Sequence, residues 1–215
     1  MVRTAGPQRL VLASASPRRV ELLAQVGIRP DEIVPADIDE TPRSREMPGP
    51  LARRLALAKG QAVAEDEPGC WILSADTVVA VGRRILGKPD TEKEAGRFLR
   101  LLSGRRHRVH GGVTVIAPDG RVSSRLVVTS VSFKRLAKAE IDAYLAGGEW
   151  QGKAGGYAIQ GHAGAFVRSL TGSYFNVVGL PLYETCSLLQ GSGFVLSPQP
   201  SSRKSQPENP SKSPA

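Results

Sequence analysis

Cysteine is nearly absent from this chain of 215 residues: only Cys70 and Cys186 occur, and no C-x-x-C spacing is formed. That excludes a disulfide framework and a cysteine-built zinc centre, and a reducing cytoplasm fits. Aromatic residues make up only 5% of the sequence and are not interleaved with basic ones as in a base-stacking platform, so specific nucleic-acid binding is not expected. No apolar run approaches the roughly 18 residues a membrane-crossing helix needs, so no membrane partner is expected. The opening MVRTAGPQR lacks the apolar core of a secretory signal. Three nucleotide and hydrolase signatures are also missing: the phosphate loop G-x-x-x-x-G-K-[ST], the dinucleotide fingerprint G-x-G-x-x-G, and a G-x-S-x-G elbow with a triad. His107, His110 and His162 lack metal-ligand spacing and read as surface or strand-end residues, while the two cysteines read as small packed hydrophobes.

What the chain has in excess is positive charge. Lys and Arg number 29 against 20 Asp and Glu, a formal net charge of +9, which attracts polyanions in general. With few aromatics to stack bases, a small phosphorylated ligand is the first choice of partner.

The pattern along the chain is that of an α/β protein. Leu10 to Ala13 reads as a buried strand, followed by a helix from Pro17. Glu32 to Ala36 reads as a short strand, Asp37 to Pro50 as a loop, and Leu51 to Ala64 as a helix with apolar positions at Leu51, Leu55, Ala58 and Ala62. Trp71 to Thr77 is a buried strand that Val78 to Val81 either extends or answers. Thr91 with Glu94 forms a capping box for a helix through Leu102. Val109–Ile116 and Arg125–Phe133 flank the turn Pro118-Asp119-Gly120, an antiparallel hairpin. A helix at Lys138–Leu145, a glycine-dense stretch at Gly152–Gly164, a strand at Ala165–Leu170 and a helix at Leu182–Leu189 complete the body. The expectation is a mixed sheet with helices on it. Residues 1–8 are expected to be a flexible N-terminus and 9–190 one domain. Residues 191–215, dominated by Ser, Pro, Gln and Lys, read as a disordered tail.

Leu10 to Arg19, LVLASASPRR, is the densest source of chemistry. Ser16 stands at an N-cap position and Pro17 at the first helical residue, so a strand feeds a fresh helix N-terminus there. Its free backbone N–H groups and positive dipole end favour an anion, and Arg18 and Arg19 add fork-shaped donors suited to phosphate. The plain alternative is an ordinary capped helix with solvated arginines. Asp76 falls at the carboxyl end of a buried strand, where open α/β sheets form ligand crevices, although Asp-Thr also shapes turns. Gly87-Lys88-Pro89 presents a lysine between a permissive and a rigid residue. Lys59 lies on the apolar stripe of its helix, either as a snorkelling stem or as a group reaching into the crevice. Asp37, Asp39 and Glu40 form an acidic cluster, either solvated loop charge or divalent-metal ligands.

Six segments in order, SASPRR (14–19), ADT (75–77), GKP (87–89), LSGxxH (102–107), KAGGYAIQG (153–161) and GSYFNVVGLP (172–181), together resemble the Maf family of nucleoside triphosphate pyrophosphatases, from about Leu10 to Gln190. The resemblance implies an elongated, two-lobed α/β fold with a central cleft, related to the inosine triphosphate pyrophosphatases and commonly a homodimer. It implies hydrolysis between the α and β phosphates with a divalent cation such as Mg2+ or Mn2+. Matched position by position, Asp76 is the proton acceptor, and Ser14, Arg19, Lys59 and Lys88 line the phosphate end. Glu40 and Asp76 are the implied metal ligands. Arg18, Thr77 and Gln160 govern substrate choice, with identities like the branch acting on dTTP and UTP rather than on 7-methyl-GTP. The chain departs from the family at Gly152, where an acidic residue is usual, and at Ala158, where glycine is common. Rival readings are the same chemistry on modified or other bases, and a non-catalytic basic regulator that binds nucleic acid or division proteins.

Overall fold

The computed structural model describes residues 8–196. The expected flexible N-terminus, apart from Gln8, and residues 197–215 of the expected tail lie outside the described residues. Thirteen main elements follow one another: β1 (Leu10–Ala13), α1 (Pro17–Gln25), β2 (Glu32–Ile33), α2 (Pro48–Asp66), β3 (Trp71–Val81), β4 (Arg84–Leu86), α3 (Glu92–Leu102), β5 (Arg106–Ile116), β6 (Val122–Phe133), α4 (Lys138–Ala146), β7 (Val167–Thr171), α5 (Tyr174–Val178) and α6 (Leu182–Gly191). Two 3-10 turns, Ala154–Gly156 and His162–Phe166, fill the glycine-dense stretch between α4 and β7.

The seven strands form one mixed sheet in the order β2-β1-β3-β5-β6-β7, with β4 paired to β3. β1 pairs parallel with β2 and β3, while β3, β5, β6 and β7 run antiparallel to their neighbours. β1 is fully buried because both sheet faces are covered, which is why its sequence is uniformly apolar rather than alternating. Alternation instead divides its side chains between two cores. Leu10 and Leu12 join the large cluster with α3, α4 and α6, whereas Val11 and Ala13 join a smaller one with Val63 of α2.

The same period runs through β3 and positions the site. Ile72, Ser74 and Asp76 share the face toward α2; Leu73, Ala75, Thr77 and Val79 share the other. β1 pairs with β3 only from Trp71 to Ser74, so β3 continues past the end of β1 while still paired with β5, and Asp76 falls two residues beyond that last β1 pair. α2 lies unusually close to the sheet. A Cβ on Gly60 would stand 2.7 Å from Ser74 Oγ, and one on Gly112 would stand 2.2 Å from the Ala52 carbonyl oxygen. Ser74 Oγ donates to the Ala56 carbonyl at 2.6 Å, which ties the helix to the strand.

Several expectations change in detail. β2 is two residues rather than five, because Pro35 has no N–H to continue the ladder. α2 starts at Pro48 inside the expected loop, since proline is tolerated in a first helical turn. β3 is one continuous strand, and β4 and α5 have only three and five residues, too short for a periodic signal. Thr91 Oγ1 accepts from Glu94 N as expected. His107 is buried in the core rather than at the surface, because the alternation of β5 turns it to the same face as Val109 and Val113. The tail does not begin at 191: α6 ends there, and Phe194 and Leu196 pack on the core, the Phe194 ring lying edge-on to Trp71 at 5.6 Å. These two apolar residues, read as part of a polar tail, have enough surface to bury.

Candidate functional site

A cleft of about 390 Å³ opens past the carboxyl end of β1 and beside the middle of β3, so Asp76 stands inside its strand rather than at the carboxyl end expected of it. Its wall includes Ser14, Arg18, Arg19, Glu40, Lys59, Asp76, Thr77, Lys88 and Gln160, so every residue that the family resemblance assigns to the site lines one cavity. Asp37 and Asp39 do not: Asp39 accepts the Thr41 N–H at 2.9 Å in an exposed loop turn, and only Glu40 of that acidic cluster reaches the cleft.

Lys59 is the centre of the arrangement. It follows Leu55 and Ala56 by one helical turn on the buried stripe of α2, so its stem runs under the sheet and its ammonium emerges beside Asp76. Nζ lies 2.7 Å from Asp76 Oδ1 and 2.7 Å from Glu40 Oε1. Lys59 and Asp76 are each 8% exposed, so this is a buried pair, for which loss of either partner strands a charge away from water. Partial burial pushes the Glu40 carboxyl up, but the Lys59 hydrogen bond and charge, with the charges of Lys88 and Arg19, hold it below the ordinary carboxylate range.

Arg19, on the first turn of α1, is buried beneath the loop after β1. Nη1 donates to Ser14 Oγ at 2.7 Å and Nε to the Gly179 carbonyl at 3.0 Å. Burial pulls its guanidinium below the ordinary value, and the Asp76 charge partly offsets this. Sequence reasoning missed the Gly179 partner. Its signal lies within the GSYFNVVGLP segment, where Gly179 takes φ +142° so that the chain can turn between α5 and α6. Ser16 occupies the N-cap position, but its side chain makes no cap hydrogen bond; its own N–H donates to Ser14 Oγ at 3.2 Å. The α1 terminus therefore faces the cleft without a side-chain oxygen covering it, which suits an anion.

Thr77 faces the opposite side of β3 from Asp76, and its Oγ1 is buried without a hydrogen-bond partner. Such an orphan at a cleft wall is a point where a ligand atom can bind. Gln160 is exposed at the end of the glycine-dense stretch. That stretch is pinned at several points: Gly155 N donates to the Gly87 carbonyl at 2.9 Å, Ala158 N to the Tyr144 hydroxyl at 3.0 Å, and His162 N to Glu149 Oε2 at 3.0 Å. Lys153 also lines the cleft. Sequence reading included it in a motif but gave it no part in the site. His107, His110 and His162 lie outside the cleft lining, and no group of three or more His, Cys, Asp or Glu side chains gathers among the described residues.

Glu40 and Asp76 converge on a single nitrogen, so their carboxylates open toward one region of the cleft. Two hard oxygen donors completed by a ligand's phosphate oxygens match the way Mg2+ or Mn2+ is held at phosphoryl-transfer sites. The donor set fits such an ion.

These features define an α/β protein with an anion-binding cleft built around a lysine-bridged carboxylate pair. The chain belongs to the Maf-like protein family, whose description matches residues 9–192. It is 61% identical to a dTTP/UTP pyrophosphatase of Rhodospirillum rubrum, over 89% of this chain and 90% of that one. Similar relatives with the same name occur in Caulobacter vibrioides (62% identity; 88% of this chain, 98% of that one) and Paramagnetospirillum magneticum (62%; 86% and 98%). Among solved structures, the Staphylococcus aureus Ham1 protein is similar over 59% of this chain and 72% of that one, with 16% identity and a TM-score of 0.42.

Proposed function

We propose that this chain hydrolyses nucleoside triphosphates, dTTP and UTP above others, to the monophosphate and pyrophosphate. The observation that carries the reading is the buried Lys59–Asp76 pair at the head of the parallel strands, inside a cleft lined by several further cations. The relatives' common name supports the same substrates.

In this reading Asp76 takes a proton from the attacking water. The water oxygen bonds to the α phosphorus, the bond from that phosphorus to the α–β bridging oxygen breaks, and pyrophosphate leaves. Lys59 holds the Asp76 carboxylate in one orientation, which a freely rotating solvated carboxylate lacks and which general-base geometry requires. Arg19, fixed by Ser14 and the Gly179 carbonyl, presents its remaining N–H groups to the phosphates without having to be ordered first. Lys88 adds a mobile point charge at the rim. Glu40 and Asp76 would hold the divalent ion, which when bound neutralises phosphate charge and makes the phosphoryl centre more electrophilic. Thr77 Oγ1 and the Gln160 amide offer donor and acceptor groups for nucleotide selection, together with Arg18.

The same reading assigns the protein to the cytoplasm as a homodimer with a nucleotide as its ligand and no specific nucleic-acid partner. No helix among the described residues is long and apolar enough to cross a membrane. The exposed aromatic rings of Tyr174, Phe175 and Tyr183 support a surface covered by a second copy, which size-exclusion chromatography with light scattering tests. The decisive assay is a product screen over natural and modified triphosphates with magnesium or manganese. UTP should give UMP and pyrophosphate in equal amounts; initial release of UDP and orthophosphate, or no turnover of any triphosphate, would refute the proposal.

A further inference from the structure

The cations of the cleft fall into two groups. Lys59 bonds both Asp76 and Glu40, the charge of Arg19 acts on both carboxylates, and that of Lys88 acts on Glu40. Among the described residues, Glu40 and Asp76 are the only carboxylates lining the cleft, so the inner cations share them. Arg18 and Lys153 have none. They reach the cleft from different elements, Arg18 on the first turn of α1 and Lys153 at the start of the 3-10 turn Ala154–Gly156. They are close enough that the charge of Arg18, after partial burial, helps to hold the Lys153 ammonium below its usual range. Their acidic neighbours, Glu21 for Arg18 and Glu149 for Lys153, stand outside the cleft lining. Two like charges near each other in one cleft are an unfavourable arrangement unless a ligand brings negative charge.

The backbone around Lys153 is built to keep it there. Gly155 N donates to the Gly87 carbonyl at 2.9 Å, one residue before Lys88. Gly155 takes φ +73° and lies so close to β3 that a Cβ on it would meet Val79 Cγ1 at 2.8 Å. The Lys153 ammonium rests on the carbonyl of Gln151, 3.1 Å away, a neutral acceptor within its own loop that a phosphate oxygen can replace. An anion there gains a charge-assisted hydrogen bond at the expense of a weaker one.

We infer that Lys153 is a substrate-binding residue, acting with Arg18 in the same cleft to grip the β and γ phosphates that leave as pyrophosphate. The assignment rests on the pyrophosphatase reading and sharpens it. In a triphosphate most of the negative charge lies on the two terminal groups, while the α phosphoryl group carries about one charge. The unshared cations suit the charge-rich end, and the inner cluster with Asp76 suits the phosphorus under attack. Arg18 then contributes to substrate choice by counting phosphates as well as by any contact with the nucleoside.

The test is calorimetric titration of the full chain with sodium pyrophosphate and, separately, with UMP, in buffer containing magnesium chloride. Wild type is compared with Lys153→Met and Lys153→Arg. Pyrophosphate affinity should fall roughly tenfold or more in the Met variant and recover in the Arg variant, with UMP affinity unchanged within about twofold. KM for UTP should rise by the same factor with kcat little altered. Unchanged pyrophosphate affinity, or an equal loss for UMP, overturns the assignment. Lys153→Gln repeats the measurement if the Met variant does not fold. The titration needs no turnover, so it decides the place of Lys153 even if the wild type fails to hydrolyse UTP and the broader reading falls.

Discussion

Acidification should destabilise this protein through one identifiable ring. His107 is 1% exposed, its Nε2 pairs with the Tyr157 hydroxyl at 2.8 Å, and its Nδ1 is buried without a partner. Burial pushes its pKa down from 6.5 to about 4. The folded value lies below the unfolded one, so the unfolded chain takes up more protons between these limits. The contribution of the neutral ring is therefore fully present above pH 6.5 and is lost as pH falls through 4. Integrated over that window, the loss is about 2 kcal/mol at pH 5 and about 3 kcal/mol at pH 4, both relative to pH 8. Carboxylates such as Glu46, held at about 2 by the Arg54 hydrogen bond, change stability in the same direction, so a comparison must isolate the ring. His107→Gln keeps a polar partner for Tyr157 and removes the titration. Urea unfolding of both proteins from pH 8 to pH 5 should show their difference in unfolding free energy moving by about 2 kcal/mol in favour of the variant as pH falls. A difference that stays constant across the range would mean that His107 is not held neutral by its burial.

Three further outcomes follow from the site and its scaffold. Asp76→Asn keeps shape but can neither carry charge nor take a proton, so kcat for UTP should drop roughly 10² to 10⁴-fold while calorimetry still detects nucleotide binding; activity within tenfold of wild type removes Asp76 from the proton-accepting part. Gln160→Glu should lower kcat/KM for dTTP and UTP by about 1 to 3 kcal/mol in transition-state terms and reorder a panel that includes CTP, GTP and 7-methyl-GTP, whereas a uniform loss would confine Gln160 to loop support. Gly112→Ala places a methyl group 2.2 Å from the Ala52 carbonyl oxygen, so α2 must move, and thermal unfolding should fall by the equivalent of about 1 to 3 kcal/mol or more; an unchanged midpoint would refute the close packing of α2 on β5.

The fold is legible where the pattern is long or its chemistry is strong. β1, α3 and the β5–β6 hairpin carry uniform apolar runs, a capping box and a Pro-Asp-Gly turn, and each forms close to its expected place. The site is legible through two oddities: a carboxylate that follows a buried apolar run, and a lysine on an apolar helical stripe. Physically they are one observation, because each explains the burial of the other. What escapes a reading of one sequence depends on distant neighbours. Glu40 differs from Asp37 and Asp39 only in which of them the loop directs toward Lys59. His107 is buried because β5 turns it against the rings of Phe133 and Tyr157, both distant in sequence. The Gly179 carbonyl, 160 residues from Arg19, follows a five-residue helix whose length leaves no periodicity.

The charges also explain how a cleft with so many cations folds without its ligand. Burying Arg19 and Lys59 is unfavourable unless acceptors replace lost water, and each has them: Ser14 and the Gly179 carbonyl for one, Asp76 and Glu40 for the other. The inner cluster is thus close to internally satisfied, which favours a rigid, preformed arrangement around the reacting phosphorus. It also limits how much net attraction those groups can offer a substrate, since part of their charge is already answered. Affinity for a polyanion must come largely from cations that share no carboxylate of the cleft and are only partly buried, so that the energetic cost of leaving them unpaired is smaller. Rigid catalytic groups inside and unshared cations outside are therefore consequences of one constraint: the protein must be stable when empty and strongly attractive to phosphate when substrate arrives.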